Sequence, residues 1–248
     1  MTDFNKKGVA KMGSPIYPEG GRENAFAGLY CKIAMENYYR ASEFYKEIKS
    51  AQFAFEKIAE QNEFSKRVIS TVVFSSMCLE AFFNDYIAAV LGDKKFYDVY
   101  DSLTPRNKFC LIVTFIFETE IDKASACYGG ITNLFRLRND YVHNKSRHTK
   151  FQRYTAEQFK EIKKLHEGAE KWFVPPSLNE AEIEKDMRDA LEALKTIRNV
   201  AQYFDKYDSA CYAMVRLFGE HNYYIASSYE KKYMEEIFRK LGIKKGVK

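Results

Sequence analysis

Arg138, Asn139 and His143 stand together in the segment LFRLRNDYVHNK, residues 134–145, and of all residues in the chain they are best suited to chemistry on a phosphate. Arginine cannot shed its charge, and its fork of N–H donors matches phosphate oxygens. Histidine has an unperturbed pKa of about 6.5, so it can take or give a proton near neutrality. Cleaving an RNA phosphodiester without a metal needs three things: a group to remove the 2′-hydroxyl proton, one to protonate the departing 5′-oxygen, and positive charge for the crowded phosphate. One Arg138–His143 set is incomplete for this work. Two sets facing each other across a two-fold axis supply both imidazoles and both guanidinium groups, which is a reason to expect a homodimer.

The elements that carry these residues are helical by pattern. With Arg138 at zero on a helical wheel, Ile131, Leu134, Phe135, Tyr141 and Val142 lie within about 60° of it. Arg138 is therefore expected at the centre of an otherwise apolar stripe, with Asn139 and His143 on a more polar flank. Upstream, a wheel centred on Ser76 gathers Ile69, Val72, Val73, Phe83, Ile87 and Leu91. Glu80 falls in the middle of that stripe and Asn84 at its edge, and a carboxylate there needs a partner. We expect Glu80 and Arg138 to be near neighbours, bonded through Asn84. Such a pair has two readings: an ion pair that only orients helices, or a support for a catalytic arginine. Asp140 is either an acceptor for a nearby base or a local counter-charge for Arg138.

The remaining elements follow from periodicity and caps. Residues 1–28, with five Gly and two Pro, read as an arm. A helix is expected from Leu29 to Gln61, and a second, capped by Ser65, to Leu91 with Gly92 as its stop. A short helix covers Phe96–Tyr100. Thr104-Pro105 caps and opens another from Arg106 to Glu118, whose apolar run FCLIVTFIF we read as buried helix rather than strand. Gly129-Gly130 is expected to break the chain before a helix from Ile131 to Lys145. Thr155 with Gln158 forms a capping box for a helix to Trp172, and Val174-Pro175-Pro176-Ser177 interrupts it. Asn179 with Glu182 then caps a helix towards Tyr203, followed by helix at 209–218 and 222–241. The fold class is all-α: a bundle at 29–207 with an insertion at 146–179 and a helical extension at 208–248.

Charge is modest, +5 from 39 basic and 34 acidic side chains. Its distribution is more telling, because Lys145, Arg147, Lys150 and Arg153 fall in an acid-free stretch after His143. These are the candidate RNA contacts; a solvated loop is the plainer alternative. The basic C-terminal tail, ending at Lys248, reads as a frayed end.

The RNDYVH segment resembles the signature of the HEPN superfamily, an Arg followed by a His after four to six residues, often with Asn next to the Arg. SSMCLEAFFNDYI is similar to that family's earlier helix, with an acid among apolar residues, and LTPRNKF with its apolar run is similar to the intervening helix. The likeness covers residues 29–145, with 180–207 as a candidate last bundle helix. It implies a helical bundle that acts as a dimeric, metal-independent endoribonuclease of a toxin or anti-phage system. On that likeness Arg138 and His143 would be catalytic, Asn139 a polar support for His143 or the phosphate, and an antitoxin or other regulatory protein a further partner. Other members of the superfamily have lost activity and serve as protein-interaction or nucleotide-binding modules, which is the alternative reading.

Several classes find no support in the sequence. No metal-binding cluster, phosphate loop or dinucleotide fingerprint is present, so no metal or cofactor is expected. His148, His166 and His221 have no paired ligand. The five cysteines are odd in number and mostly in apolar stretches, which suits small buried hydrophobes in a reducing, cytoplasmic setting. No secretory signal or uninterrupted apolar span is seen, and no membrane association is expected. Thirty-eight Phe and Tyr predict a thick aromatic core bordered by tyrosine.

Overall fold

A computed structural model describes residues 26–50, 54–143, 180–219 and 227–243, and among these there is no strand. In chain order the helices are α1 (Ala27–Ser50), α2 (Ala54–Leu91), α3 (Asp93–Lys95), α4 (Pro105–Leu111), α5 (Ala126–Val142), α6 (Glu180–Tyr207), α7 (Ala213–Phe218) and α8 (Ser228–Leu241). π-Helical turns extend α3 through Phe96–Tyr100 and α4 through Ile112–Ile116. The fold is all-α, as expected, and 109–117 is helical rather than strand up to Ile116. The first hairpin differs from expectation. Its break lies between Ser50 and Ala54, not between Gln61 and Ser65, so Ser65 is a helix-interior residue and caps nothing.

The α1–α2 hairpin is the most extensive helix pair of the bundle. One seam of α1 is Ala27, Cys31, Ala34, Tyr38 and Ala41; the facing seam of α2 is Val68, Thr71, Ser75, Cys78 and Phe82, and all ten are buried. The alternating three- and four-residue steps keep each seam on one helical face. Cross-contacts fix an antiparallel register: Tyr45 packs on Phe64 at 6.3 Å between ring centroids, Tyr30 on Phe74 at 6.0 Å, and Arg67 Nη1 donates to Asn37 Oδ1 at 3.1 Å. Small residues at Ala34 and Ser75 let the two backbones close on each other.

An adjoining face of α2 packs on α6. Phe204 is the hub there, with ring centroids 4.8 Å from Phe82, 5.0 Å from Tyr86 and 5.2 Å from Phe117. Such pairs add ~0.5–1.5 kcal/mol each beyond the area they bury. Tyr86 donates its hydroxyl to Asp208 Oδ2 at 2.8 Å, tying α2 to the end of α6. Because α1 covers one flank of α2 and α6 another, the buried arc of α2 is broad and rotated away from the expected centre. Ile69 is exposed, and Glu80 lies half-buried at a margin rather than mid-stripe.

Helix ends follow the local chemistry. Thr104 accepts from Asn107 N with Pro105 at the first helical position, as read from sequence. Ser227 and Glu230 form a reciprocal capping box at α8. Gly242, at φ 66, ends α8 in a left-handed turn, with its N–H on Arg239 O and that of Ile243 on Phe238 O. Six-residue α7 starts from Tyr212, itself left-handed at φ 49. Its first amides, Ala213 N and Met214 N, donate at 2.5 and 3.0 Å to the two carboxylate oxygens of Asp205 on α6. The C-terminal region packs onto the bundle, since Tyr233, Met234, Ile237 and Leu241 of α8 are part of the one core.

Candidate functional site

α5 positions the residues singled out by sequence. Ser125 caps its start, accepting from Tyr128 N at 3.2 Å. Gly129 and Gly130 lie inside this helix, which corrects the expected break at the pair. Gly130 is there for contact: a Cβ on it would come within 2.8 Å of Thr196 Oγ1 on α6. Thr196 is itself held, donating to Glu192 O at 2.8 Å. The glycine therefore lets α5 and α6 approach, and Gly129, with open space around it, has no such role.

The last turn of α5 carries the candidate chemistry. The helix ends at Val142, three residues before the expected Lys145, and His143 is its C-cap at φ −105, ψ 39, with its N–H on Asn139 O at 2.9 Å. The His143 side chain is exposed. Arg138 is half-buried, and its Nη1 donates to Asn139 Oδ1 at 3.0 Å. The buried stripe of α5 is Cys127, Ile131, Leu134 and Leu137, so Arg138 borders it instead of occupying its centre. α5 packs on both α6 and α2, and Leu134 and Leu137 are buried while Arg138 is only half-buried. Asn139 thus binds the Arg138 guanidinium through its side chain and the His143 backbone N–H through its carbonyl.

Three supporting residues sit differently from expectation. Asp140 pairs with Arg136, Oδ2 to Nη1 at 3.1 Å, and not with Arg138. Arg136 also donates to Asn133 Oδ1 at 2.7 Å, so an exposed local network takes up that acid. No hydrogen bond or ion pair joins Glu80 to Arg138 among the described residues, and Asn84 Oδ1 is buried with no partner rather than bridging them. The cation whose charge Glu80 does influence is Lys108 on α4. Burial pushes the Lys108 amine below its ordinary value, and the carboxylates of Glu80 and Asp101 pull it back up. Lys108 is 1% exposed, with Nζ 5.5 Å from the Phe96 ring centroid. Its helical spacing to Ile112 and its neighbour Phe109 mark the core side of α4, a signal present in the sequence but not weighed.

Tyr141, read from sequence as part of the apolar stripe, also anchors this turn. Its hydroxyl donates to Asp186 Oδ1 on α6 at 3.5 Å, a long bond. Burial raises the Tyr141 hydroxyl well above its ordinary value, helped by the charges of Asp186, Asp189 and Asp140. Burial likewise raises the Asp186 carboxyl. The last turn of α5 is thus fixed to the first turns of α6 through one polar contact, set beside the buried contacts of Leu134 and Leu137.

No family model, curated protein or solved structure matches this chain. The site must be read from its own geometry. Lys145, Arg147, Lys150 and Arg153 lie outside the described residues, as do His148, His166, His221 and the expected helix at 155–172. Among the described residues no group of three or more His, Cys, Asp or Glu is arranged to hold a metal ion. An open surface recess is lined by Leu91, Asp93, Lys94, Lys95, Asp98 and Val99, and it includes none of the candidate residues. One stretch, Glu60–Leu91, is long and apolar enough to cross a membrane by length and mean hydropathy, 1.2; half of its window is buried in the bundle.

Proposed function

We propose that this chain is a HEPN-type endoribonuclease, a homodimer that cleaves RNA without a metal in a cleft shared by two subunits. The observation that carries the reading is the end of α5. There the half-buried Arg138 guanidinium donates to Asn139 Oδ1, the backbone N–H of His143 closes the last helical turn on Asn139 O, and the His143 imidazole at the C-cap, five residues after Arg138, is exposed. In the reaction one His143 accepts the 2′-hydroxyl proton as that oxygen attacks phosphorus. The His143 of the second copy protonates the 5′-oxygen as its bond to phosphorus breaks. The two Arg138 side chains neutralise the extra charge on the five-coordinate phosphate. The products are a 2′,3′-cyclic phosphate and a free 5′-hydroxyl. The basic segment Lys145–Arg153, which follows His143 directly in sequence, supplies the phosphate contacts that hold the strand.

The test is cleavage of RNA by the purified chain in EDTA, with end-group analysis of the products and light scattering for the oligomer. Cutting with cyclic-phosphate ends by a dimer, abolished in His143→Ala with helicity retained, is the expected result. A strict metal requirement, cutting that survives in His143→Ala, or a monomer in solution would each overturn it.

A further inference from the structure

We propose that Cys31 and Cys78 form an oxidative modification site, a buried dithiol that a hydroperoxide converts to a disulfide joining α1 to α2 when α8 lifts away. The inference rests on packing alone and is independent of the reading of Arg138 and His143.

The register of the hairpin places the two thiols in one layer. Stepping along the facing seams from Tyr45–Phe64, Ala41 meets Val68, Tyr38 meets Thr71, Ala34 meets Ser75, and Cys31 meets Cys78. All of these except Tyr45 are fully or nearly fully buried. The layer next to the cysteines is Ala34–Ser75, the smallest in the seam. Burial, and then the neighbouring Cys31 thiol, push the Cys78 thiol well above its ordinary value. Two cysteines that share one layer of facing helices can bond where their Cα atoms lie within about 7 Å and their Cβ vectors converge. Both are free thiols, at 0% exposure.

What keeps them reduced is cover. Tyr233, Met234 and Ile237 of α8 are buried, and the Tyr233 ring packs on Tyr39 of α1 at 6.0 Å. The Tyr233 hydroxyl is buried without a hydrogen bond and lies close enough to Cys31 to be affected by its charge. Polar contacts that tie α8 to the bundle include Lys32 Nζ to Glu230 Oε1 at 2.5 Å, Lys240 over the Tyr38 ring at 5.1 Å, Arg40 over the Tyr229 ring at 5.8 Å, and Arg198 Nη1 on Leu241 O. Removing those contacts favours lifting of a 14-residue helix, and with it water and peroxide reach the sulfurs.

The chemistry balances with a hydroperoxide as the oxidant. One thiolate attacks the outer peroxide oxygen; an S–O bond forms, the O–O bond breaks, and the alkoxide or hydroxide leaves and takes up a proton. The second thiolate then attacks the sulfenic sulfur; the S–S bond forms, the S–O bond breaks, and the hydroxide leaves as water. Two thiols and one hydroperoxide give one disulfide, one water and one alcohol, or a second water from hydrogen peroxide.

The experiment treats the full chain with hydrogen peroxide, quenches with an alkylating agent and maps cross-linked peptides by mass spectrometry. The half-exposed Cys110 reports that the oxidant is active. The expected result is a Cys31–Cys78 peptide within one chain, formed about fivefold faster in Glu230→Ala, which loosens α8. Cys31→Ala serves as the control that removes the cross-link. Oxidation of Cys110 with Cys31 and Cys78 left fully reduced, or a disulfide mapped between other cysteines, overturns the site. A rate unchanged in Glu230→Ala overturns the role of α8 as its cover.

Discussion

Arg138 donates to Asn139 through Nη1 at 3.0 Å, a bond between adjacent residues near the C-terminal end of α5. Neighbouring side chains on a helix diverge by about 100°, so the bond bends the guanidinium around the helix towards the His143 side. Arg138→Ala is expected to lower RNA cleavage by about 10²–10³-fold, as for removal of one charged donor at a developing oxyanion. Arg138→Lys should not restore it, because a point charge cannot reproduce the fork. Asn139→Ala should cost about tenfold, through orientation rather than charge. Single-turnover rates with saturating RNA give the comparison; equal rates for Asn139→Ala and the unaltered protein would remove Asn139 from the site.

Gly129 and Gly130 should respond to the same substitution with opposite signs. Gly129→Ala puts a methyl group in open space within a helix and should stabilise by up to ~1 kcal/mol. Gly130→Ala gains the same propensity but drives the methyl into Thr196, and overpacking of that kind costs ~1–3 kcal/mol. Urea midpoints of the two variants decide the matter, and Thr196→Ala should rescue Gly130→Ala. Two shifts of the same sign would mean that α5 and α6 do not press together there.

Acid should loosen the C-terminal helix. Glu230 is held down to about 2, against an ordinary value of 4.5, first by Lys32 and then by the backbone and hydroxyl of Ser227. A carboxyl lowered on folding adds stability that is complete above pH 4.5 and drains away as pH falls towards 2. Thermal midpoints should therefore drop across that window, and less steeply in Glu230→Gln than in the unaltered chain. Parallel curves for the two would show that Lys32 and Glu230 do not hold α8.

Much of this architecture is legible in sequence because it is written in caps and periods. Thr104-Pro105, the helical reading of 109–117 and the long final bundle helix all rest on local chemistry that tertiary packing did not override. The misplaced first break has a physical cause. α1 ends at Ser50 and α2 begins at Ala54, and the sequence between them, Ala51-Gln52-Phe53, has no Gly or Pro to signal a break. Gly129-Gly130 misled for the opposite reason, since a residue chosen for interhelical contact has the same signature as one chosen to end a helix. The site was legible in its residue types but not in its pairings. A helical wheel shows which side chains share a face, whereas the partner of Glu80 depended on the placing of α4, which brings Lys108 inside. That lysine interrupts an apolar face just as Arg138 does, and only the neighbouring Phe109 and Ile112 distinguish the two.

Asp205 has one more implication. A six-residue helix cannot nucleate by itself in water, because fixing its first turn costs more than its few bonds return. α7 instead borrows its beginning from a side chain of the preceding helix, whose two oxygens receive Ala213 N and Met214 N. It is thus a dependent piece of structure, whose first turn takes from Asp205 of α6 the acceptors it cannot supply itself.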